Sequence, residues 1–431
     1  MAAPIAGGGN ASGSYQSASG KTTLVLCLVF AVFFLLAGVT NINDALVKKF
    51  QNMFQLSNFE AALVQFAFFT SYALFSIPAG ILLRKIGFIR GFVTGFLIIA
   101  AAALLFIPAA SSGQYINFLG ALFLIGGGIT LLQVAMNPLV TTLGPPETSH
   151  SRLTFAQMFN SLGAYLIVTF GAFYILGKPS DVDATTLSPD ALAAFRLQEA
   201  EVITHVYTGV AIFLIAMAAL FWFFRSALDD AQADDVEVEG TWTLFMNDTR
   251  LRFGALCIFL YVGAEVTIGS FIVKYVGLDR VLGASDEQAV WYLSSYWGGA
   301  LIGRFVGAGL LRFFNPGYVL TIFGSIAITL IAISAFSGGS LSALTLTAVG
   351  LFNSIMFPTI FSLATEGMRA QKAAQGSGIL ATAIVGGAII PLIYGAAADG
   401  IGLTAGLIVP VICYAIIAGY GVYARGRRPV A

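Results

Sequence analysis

Asp44 is a carboxylate that stands at the end of a very apolar stretch of this sequence. The run TTLVLCLVFAVFFLLAGV ends just before it, Asn41 lies three residues earlier, and Lys48 lies four residues later. Residues three and four apart share one face of a helix, so the three side chains would point the same way. One interpretation is an interfacial cap that Lys48 neutralises. The other is a protonatable or cation-binding carboxylate that lines a cavity, because charges inside a bilayer are costly and mostly functional.

Two carboxamide pairs occur in the apolar segments that follow. LLQVAMNPLV places Gln133 and Asn137 four residues apart, with Pro138 bending the helix, and FAQMFNSLG places Gln157 and Asn160 three apart. A carboxamide both donates and accepts hydrogen bonds, as a sugar hydroxyl requires. Each pair could instead be an interhelical hydrogen bond that only holds the bundle together. Together with one carboxylate, the pairs predict a sugar site and not an apolar drug pocket.

The second half of the chain carries fewer polar residues in its apolar segments. Tyr261 and Glu265 are four apart in YVGAEVTIGS, and Trp297 and Arg304 lie in YWGGALIGRFVGAG. Trp297 is placed either to stack on a pyranose ring or to sit at a membrane interface. Arg304 could pair with Glu265 as a structural bridge between helices, or Glu265 could sense the coupling ion.

Two further features of this half concern packing and gating. Asn353 and Phe357 share a face in FNSIMFPTIFSLATEG, and Glu366 at the end of that segment is predicted to form a cytoplasmic latch. Small residues that recur every four positions allow helices to approach closely. Such a face is predicted at Gly299, Gly303 and Gly307.

The elements that must position these residues are membrane-spanning helices. The chain has 431 residues, of which 58% are hydrophobic and 10% charged, with a mean hydropathy of +0.88; ordinary soluble proteins are about 25% charged. Apolar runs of about 20 residues span a bilayer as helices. Twelve are predicted, near 23–48, 58–83, 91–109, 116–139, 151–176, 201–225, 251–277, 286–312, 317–336, 341–366, 376–397 and 403–424. The net charge of zero indicates no nucleic-acid partner, and the three cysteines lack metal or disulfide spacing.

The order of these segments predicts two six-helix bundles. Residues 1–22 form a Gly/Ser-rich tail expected to be disordered, without the basic region and cleavage site of a signal peptide. The first bundle covers 23–225, an acidic cytoplasmic linker covers 226–250, the second bundle covers 251–424, and a short tail covers 425–431. With the N-terminus cytoplasmic, 14 of the 21 Lys and Arg residues fall on that side, six on the other, and Arg304 within a helix. The positive-inside rule then places both termini in the cytoplasm.

The six-plus-six pattern resembles the major facilitator superfamily, in which two bundles rock around a central site. A second resemblance is the turn GILLRKIGFIRG, where Gly80, Gly87 and Arg90 fit the loop signature of that superfamily. Arg84 stands where the signature usually has an aspartate, so the motif is degenerate. The resemblance implies gating roles for Arg84 and Arg90.

Longer pieces resemble the fucose:proton symporter family of this superfamily, in its branch of bacterial glucose/galactose and N-acetylglucosamine transporters. They are NINDALVKKFQ, LLQVAMNPLVTTLGPPETSHSRLTFAQMFNSLG, YVGAEVTIGSFIVKY, SYWGGALIGRF, GLFNSIMFPTIFSLATEG and QGSGILATAIVGGAIIPLIYGAAAD. The resemblance implies that Asp44 couples a cation, that Asn41 is a polar cavity residue, and that Gln157 and Asn160 contact sugar. Gln133 stands where the fucose symporter has a glutamate, and a glutamine cannot take up a proton. Either Asp44 alone carries a proton, or the coupling ion is Na⁺ bound near Asp44.

The expected function is therefore import of a hexose-type sugar by Na⁺ or H⁺ symport, with the protein working as a monomer in a bacterial inner membrane. Its substrate-binding residues are expected to be Asn41, Gln133, Asn137, Gln157, Asn160, Trp297, Asn353 and Phe357. The alternatives are a passive sugar facilitator and an L-fucose:proton symporter. No cofactor other than a coupling Na⁺ is expected. An enzyme is disfavoured, since the only histidines are His150 and His205 and no HExxH or GxSxG motif is present.

Overall fold

The computed structural model describes residues 20–56, 58–166, 187–223, 225, 240–368 and 370–426, and within them every regular element is a helix. The first half contains α1 (Gly20–Phe54), α2 (Asn58–Ile86), α3 (Phe88–Leu104), α4 (Phe106–Ser112), α5 (Tyr115–Thr142), α6 (Ser149–Leu166) and α7 (Pro189–Phe223). The short α8 (Thr241–Asn247) lies in the predicted linker. The second half contains α9 (Thr249–Val276), α10 (Asp286–Phe313), α11 (Pro316–Phe336), α12 (Gly339–Asn353), α13 (Met356–Thr365), α14 (Ala370–Thr382), α15 (Gly386–Ile401), α16 (Leu403–Gly406) and α17 (Ile408–Arg425).

Ten stretches of these helices are long and apolar enough to cross a membrane, within the part of the chain that the structure describes. Two of them join consecutive helices across a break: Phe88–Ser112 covers α3 and α4, and Gly339–Ala364 covers α12 and α13. The predicted span 151–176 is described only to Leu166, and α10 is a 28-residue helix that is too polar to qualify. The all-helical membrane fold is confirmed.

The sixth span was predicted to begin near residue 201, but its helix begins about a third of its length earlier. That helix, α7, begins at Pro189 instead of 201, so part of the predicted 178–200 loop is helical. Ser188 accepts a hydrogen bond from the Ala191 N–H at 3.4 Å, Pro189 occupies the first turn and Asp190 follows. This is a regular helix start, because proline fits the first turn and an acidic residue favours the positive end of the helix dipole. The segment contains Asp190, Arg196 and Glu199, and these charges are why hydropathy missed it.

Two helix breaks occur where proline removes a backbone donor, although Pro78, Pro138 and Pro391 lie inside unbroken helices. Pro108 lies one turn after the end of α3, and Pro358 lies two residues after the start of α13. A proline has no N–H to offer the carbonyl four residues earlier. For Pro358 that carbonyl belongs to Ser354, and α12 ends at Asn353. The predicted continuous span 341–366 is therefore two helices with Ser354 and Ile355 between them.

The two halves meet at one end of the bundle, which we call the basic end because Arg84, Lys85, Arg152 and Arg312 lie there. The turns between α2 and α3, α5 and α6, α10 and α11, and α13 and α14 all fall at this end. Ser151 of α6 donates a hydrogen bond to the Ala308 carbonyl of α10 at 2.6 Å. On the other side of the interface, Gly80 of α2 and Gly378 of α14 face each other, and a Cβ at Gly378 would lie 2.7 Å from the Ser76 carbonyl. The halves are thus closed against each other at the basic end.

Two glycine features predicted from the sequence have a clear structural role. Cβ atoms at Gly303 and Gly307 would collide with the Leu351 carbonyl and the Ile355 side chain, and one at Gly299 would lie 3.2 Å from the Leu351 nitrogen. The predicted close-packing face is confirmed. In the degenerate loop motif, Gly87 has φ 81° at the turn between α2 and α3, a conformation that favours glycine.

Candidate functional site

The site is built on the antiparallel pair α5 and α6, which a short turn joins at the basic end. Gln157 of α6 donates its Nε2–H to Oδ1 of Asn137 on α5, at 3.2 Å. Both side chains are buried, with exposed fractions of 8% and 2%. The sequence predicted that the two carboxamide sets converge, and the structure joins one member of each. The pair leaves the Gln157 Oε1 and the Asn137 amide nitrogen for other partners, so it can both donate and accept.

The other two carboxamides lie on either side of this pair. Gln133 is half-buried on α5, and its side chain is a hydrogen-bonding partner of the buried Tyr72 hydroxyl. Asn160 donates its Nδ2–H to the Phe33 carbonyl of α1 at 3.1 Å. Asn160, like the Asn137–Gln157 pair, therefore forms an interhelical hydrogen bond of the kind given as the alternative interpretation. Its amide ties α6 to α1, the helix that carries Asn41 and Asp44.

The predicted sites at Asn41 and Asp44 lie on α1, and their side chains, with that of Lys48, lie outside the described part of the structure. Among the described residues, no group of three or more His, Cys, Asp or Glu side chains is arranged to hold a metal ion. The cation-coupling role of Asp44 and the Na⁺ site near it stay predictions.

The second half contributes a carboxylate and aromatic rings from α9, α10 and α13. Tyr261 donates its hydroxyl to Glu265 Oε1 at 2.7 Å, and Tyr296 donates to the Glu265 backbone carbonyl at 3.2 Å. Trp297 is 42% exposed, and its ring lies over Gly269, one turn along α9 from Glu265. Phe357 is half-buried, with its ring centroid 6.4 Å from that of Tyr261. Glu265, Trp297 and Phe357 therefore form a partly accessible patch on this half.

Asn353 is buried, unlike the residues of the accessible patch, and its role in binding substrate stays a prediction. The residue is fully buried, and its Nδ2 donates to the hydroxyls of Tyr296 at 2.6 Å and Tyr414 at 3.4 Å. Its Oδ1 has no hydrogen-bond partner. α12 ends at Asn353 and α13 begins at Met356, so the helix is interrupted between Asn353 and Phe357. The sequence assumed an unbroken helix and so placed both residues on one face.

Arg304 is not bound to Glu265, so the predicted direct bridge between the two was wrong for this conformation. Its Nε donates to the Ser354 carbonyl at 3.1 Å, and its Nη1 donates to the Gln157 carbonyl at 3.3 Å and to the Ser161 hydroxyl. Pro358 has no N–H to donate to the Ser354 carbonyl, so that carbonyl takes its hydrogen bond from the Arg304 guanidinium instead. Arg304 thereby connects the second half to α6 of the first.

Two basic side chains contact Glu366, whose role as a cytoplasmic latch stays a prediction. Arg250 Nη1 lies 2.8 Å from Glu366 Oε2, and His150 Nε2 lies 3.9 Å from Glu366 Oε1, longer than a hydrogen bond. The His150 Nδ1 is 2.6 Å from the Ser362 hydroxyl, so this histidine of α6 contacts the second half on both ring nitrogens. Partial burial raises the pKa of the Glu366 carboxyl, but His150 and Arg250 outweigh it and the pKa is lowered overall.

The remaining predicted gating residues are arginines at the basic end. Arg84 is half-exposed and Arg90 exposed, and neither forms an ion pair with a described residue. Their gating role stays a prediction. Three contributors were missed from the sequence: His150, Ser161 and Tyr296. Ser161 follows Gln157 by one helical turn, so the spacing that revealed the amides also marked this hydroxyl.

The similarity of the chain to known proteins agrees with this arrangement. Residues 26–392 match the model of the Major Facilitator Superfamily. A protein of Brucella abortus called a glucose/galactose transporter is 42% identical over 90% of this chain and 91% of its own. The L-fucose–proton symporter of Escherichia coli is 34% identical over 94% of this chain and 93% of its own.

A solved structure supports the same conclusion. The crystal structure of the superfamily transporter FucP in its outward conformation superposes with a TM-score of 0.86 at 32% identity, covering 94% of this chain and all of FucP. The relatives carry the names of transporters and not of enzymes. The chain is a member of the Major Facilitator Superfamily, in the family of the glucose/galactose transporters and the fucose:proton symporters.

Proposed function

We propose that the protein imports a hexose-type sugar, such as glucose, galactose or N-acetylglucosamine, by cation symport. The observation that carries this proposal is the hydrogen-bonded pair of Asn137 and Gln157 at the junction of the two halves. Paired carboxamides suit a neutral polyhydroxylated solute, since each can donate to and accept from a hydroxyl. The names of the relatives, which include glucose/galactose transporters, support the same substrate class.

The second half supplies the aromatic surface that such a ligand needs. Trp297 exposes 42% of its surface beside Glu265 and Phe357. A sugar held between the amides and this ring would use hydrogen bonds on one side and its apolar face on the other. The cycle we propose is alternating access, in which the halves rock around the bound sugar.

The basic end corresponds, in this proposal, to the cytoplasmic side. Lys and Arg residues concentrate on the cytoplasmic side of bacterial membrane proteins. The contacts of Ser151 and His150 with the second half then close the cytoplasmic exit. The conformation agrees with the outward one of the similar FucP structure.

We assign cation coupling to Asp44 because its segment, NINDALVKKFQ, resembles the fucose:proton symporter family, and that resemblance implies a coupling role for this aspartate. One cation moving inward through 100 mV releases about 2.3 kcal/mol, enough to concentrate a neutral sugar roughly 50-fold. A passive facilitator would transport sugar without any such accumulation. An L-fucose:proton symporter would accumulate fucose in preference to glucose.

The test is uptake of labelled glucose into proteoliposomes, with an inward gradient of either Na⁺ or choline at clamped pH and, in a third arm, an inward proton gradient without Na⁺. We expect accumulation with one inward cation gradient, Na⁺ or H⁺, that unlabelled galactose competes away. Asp44→Asn should keep sugar exchange and lose accumulation. Asp399→Asn changes an exposed carboxylate near the C-terminal end of α15 and should keep both exchange and accumulation. Accumulation by Asp44→Asn would refute the coupling role. Equilibration without accumulation in the unaltered protein would establish the facilitator instead.

A further inference from the structure

Arg304 is the only described arginine whose side chain bonds directly across the junction of the two halves at the level of the amide pair. Its Nε is fixed to the Ser354 carbonyl of its own half. Its Nη1 reaches the Gln157 carbonyl and the Ser161 hydroxyl of the other half. The Nη1 contacts exist only while the basic end is closed, because they join atoms of different bundles. The Nε contact joins atoms of one bundle and persists when the bundles move apart.

Glu265 is a carboxylate that lacks a matched positive charge in this conformation. Its one side-chain hydrogen bond is from Tyr261, and no Lys, Arg or His nitrogen of the described residues lies within 4.0 Å. A short path of hydrogen bonds nevertheless joins it to Arg304: the Tyr296 hydroxyl donates to the Glu265 carbonyl and accepts from Asn353, which precedes Ser354, the residue that holds the Arg304 Nε. The other groups facing it from the packed helices are the hydroxyls of Tyr296 and Tyr414.

A carboxylate in the middle of a membrane helix needs neutralisation, since a bare charge there is costly. Glu265 lies near the middle of α9, in the span Thr249–Val276. A Na⁺ site would need several oxygen ligands, as hard cations do. The only described side-chain oxygen bonded to this carboxylate is that of Tyr261. A proton needs no further ligands, so a proton is the cation that this environment suits.

Separation of the halves at the basic end would change the partner of Arg304. Gln157 and Ser161 would move away with α6, and the guanidinium, still anchored at Ser354, would lose its Nη1 acceptors. The carboxylate at the other end of the hydrogen-bonded path through Tyr296 and Asn353 is Glu265. We propose that Glu265 is a second coupling carboxylate, protonated while Arg304 binds α6 and deprotonated when Arg304 swings to it as the basic end opens. The proton leaves to the solvent of the opened side as the guanidinium arrives, so the carboxylate is neutralised in both states.

The coupling role of Glu265 rests on the proposed function for its effects on transport. The movement of Arg304 can be tested without sugar, by labelling a cysteine at the basic end. Ala308 is buried at the junction of the halves and contacts α6 through its backbone. A cysteine at Ala308 should react with a membrane-impermeant maleimide only when the basic end opens. Raising the pH should speed labelling, because a deprotonated Glu265 attracts Arg304 away from α6.

The matched comparison separates this effect from the ordinary pH dependence of thiol chemistry. In Glu265→Gln the ratio of labelling rates at high and low pH should fall to that of the free reagent. In Glu201→Gln, an exposed carboxylate on α7, the ratio should stay as in the unaltered protein. Equal pH dependence in Glu265→Gln and the unaltered protein overturns the proposal, whatever the protein transports.

Transport variants test the exchange of partners itself. Glu265→Gln should lose proton-driven accumulation, from roughly 50-fold to none, whatever its rate of sugar exchange. Arg304→Gln should slow exchange by about tenfold or more, because removing one partner of a buried pair leaves an uncompensated charge. The double variant Glu265→Gln/Arg304→Gln should recover much of that exchange. If the unaltered protein accumulates sugar and Glu265→Gln still does so, the proposal is wrong. It is also wrong if the double variant exchanges sugar no faster than Arg304→Gln. Failure of the unaltered protein to transport sugar would count against the proposed function, while the labelling result still decides this one.

Discussion

Gly378→Ala should open the basic end, because the glycine is where α14 touches α2 most closely. A Cβ there would lie 2.7 Å from the Ser76 carbonyl, and ordinary contact begins at 3.4 Å, so the helices must separate by 3.4 − 2.7 = 0.7 Å. The obstacle is backbone, which cannot turn aside as a side chain would. Overpacking of this kind costs about 1–3 kcal/mol.

That cost falls only on the conformation in which the halves are closed at the basic end. The equilibrium should therefore shift toward the open conformation by about 5- to 150-fold, since 1.4 kcal/mol is a factor of ten. The assay is maleimide labelling of Ala308→Cys in a background where the natural cysteines are alanine. Labelling should accelerate by the same factor while the closed conformation predominates.

The control is Gly419→Ala on α17, where a Cβ would meet nothing within 4 Å. The reporter cysteine should be labelled in this variant at the same rate as in the protein that retains both glycines, because alanine is a better helix former and creates no clash at this position. Identical rates for Gly378→Ala and Gly419→Ala would refute the reasoning. They would mean that the α2–α14 contact is not what holds the basic end closed.

Three further outcomes are expected from contacts at the same end and along α6. Glu366→Gln should lower the melting temperature in detergent without speeding labelling of the reporter cysteine, since its pair with Arg250, worth about 1 kcal/mol, joins α9 to the end of α13 within the second half. Because the pKa of Glu366 is lowered, this stabilisation should be complete above about pH 4.3 and weaken as the pH falls through the lowered value. Arg152→Ala should lower the melting temperature in detergent, because this side chain donates to the carbonyls of residues 140, 141 and 145 at the end of α5, whereas the exposed Arg90→Ala should leave it unchanged. Asn160→Ala should lower stability by about 1 kcal/mol through loss of its bond to Phe33, and Asn160→Asp should not restore it, since a carboxylate cannot donate to a carbonyl; an unchanged melting temperature in Asn160→Ala would contradict the interhelical tie.

The parts of the site that sequence could predict are those that depend on spacing along one helix. The four-residue repeat of Gly299, Gly303 and Gly307 predicted a close-packing face, and that face packs against the end of α12. The amides at Asn137 and Gln157 were expected to converge because a short turn joins their helices, and they do. Periodicity is a local property, so it holds where a helix is continuous; it failed for Asn353 and Phe357, which lie on either side of the break between α12 and α13.

The parts that sequence missed depend on how the two halves are placed. Arg304 and Glu265 are opposite charges on neighbouring helices, and pairing them was the simplest inference. The true partners of Arg304 come from a broken helix and from the other bundle, neither of which spacing within α9 and α10 reveals. Pro358 did carry a signal, since a proline inside an apolar span leaves one carbonyl in need of a donor. That signal says a donor is required but not which residue supplies it.

The polarity of α10 has a consequence for how the protein is made. It is 28 residues long, yet it is not among the described helices that are apolar enough to insert by themselves. A central arginine costs about 2.5–3.5 kcal/mol on the insertion scale, and α10 carries Arg304. One partner of that arginine, α6, is synthesised earlier, and the other, the Ser354 carbonyl, is synthesised later. Biogenesis of the second bundle should therefore be cooperative, with α10 entering the membrane efficiently only in the company of helices on both sides of it in the chain.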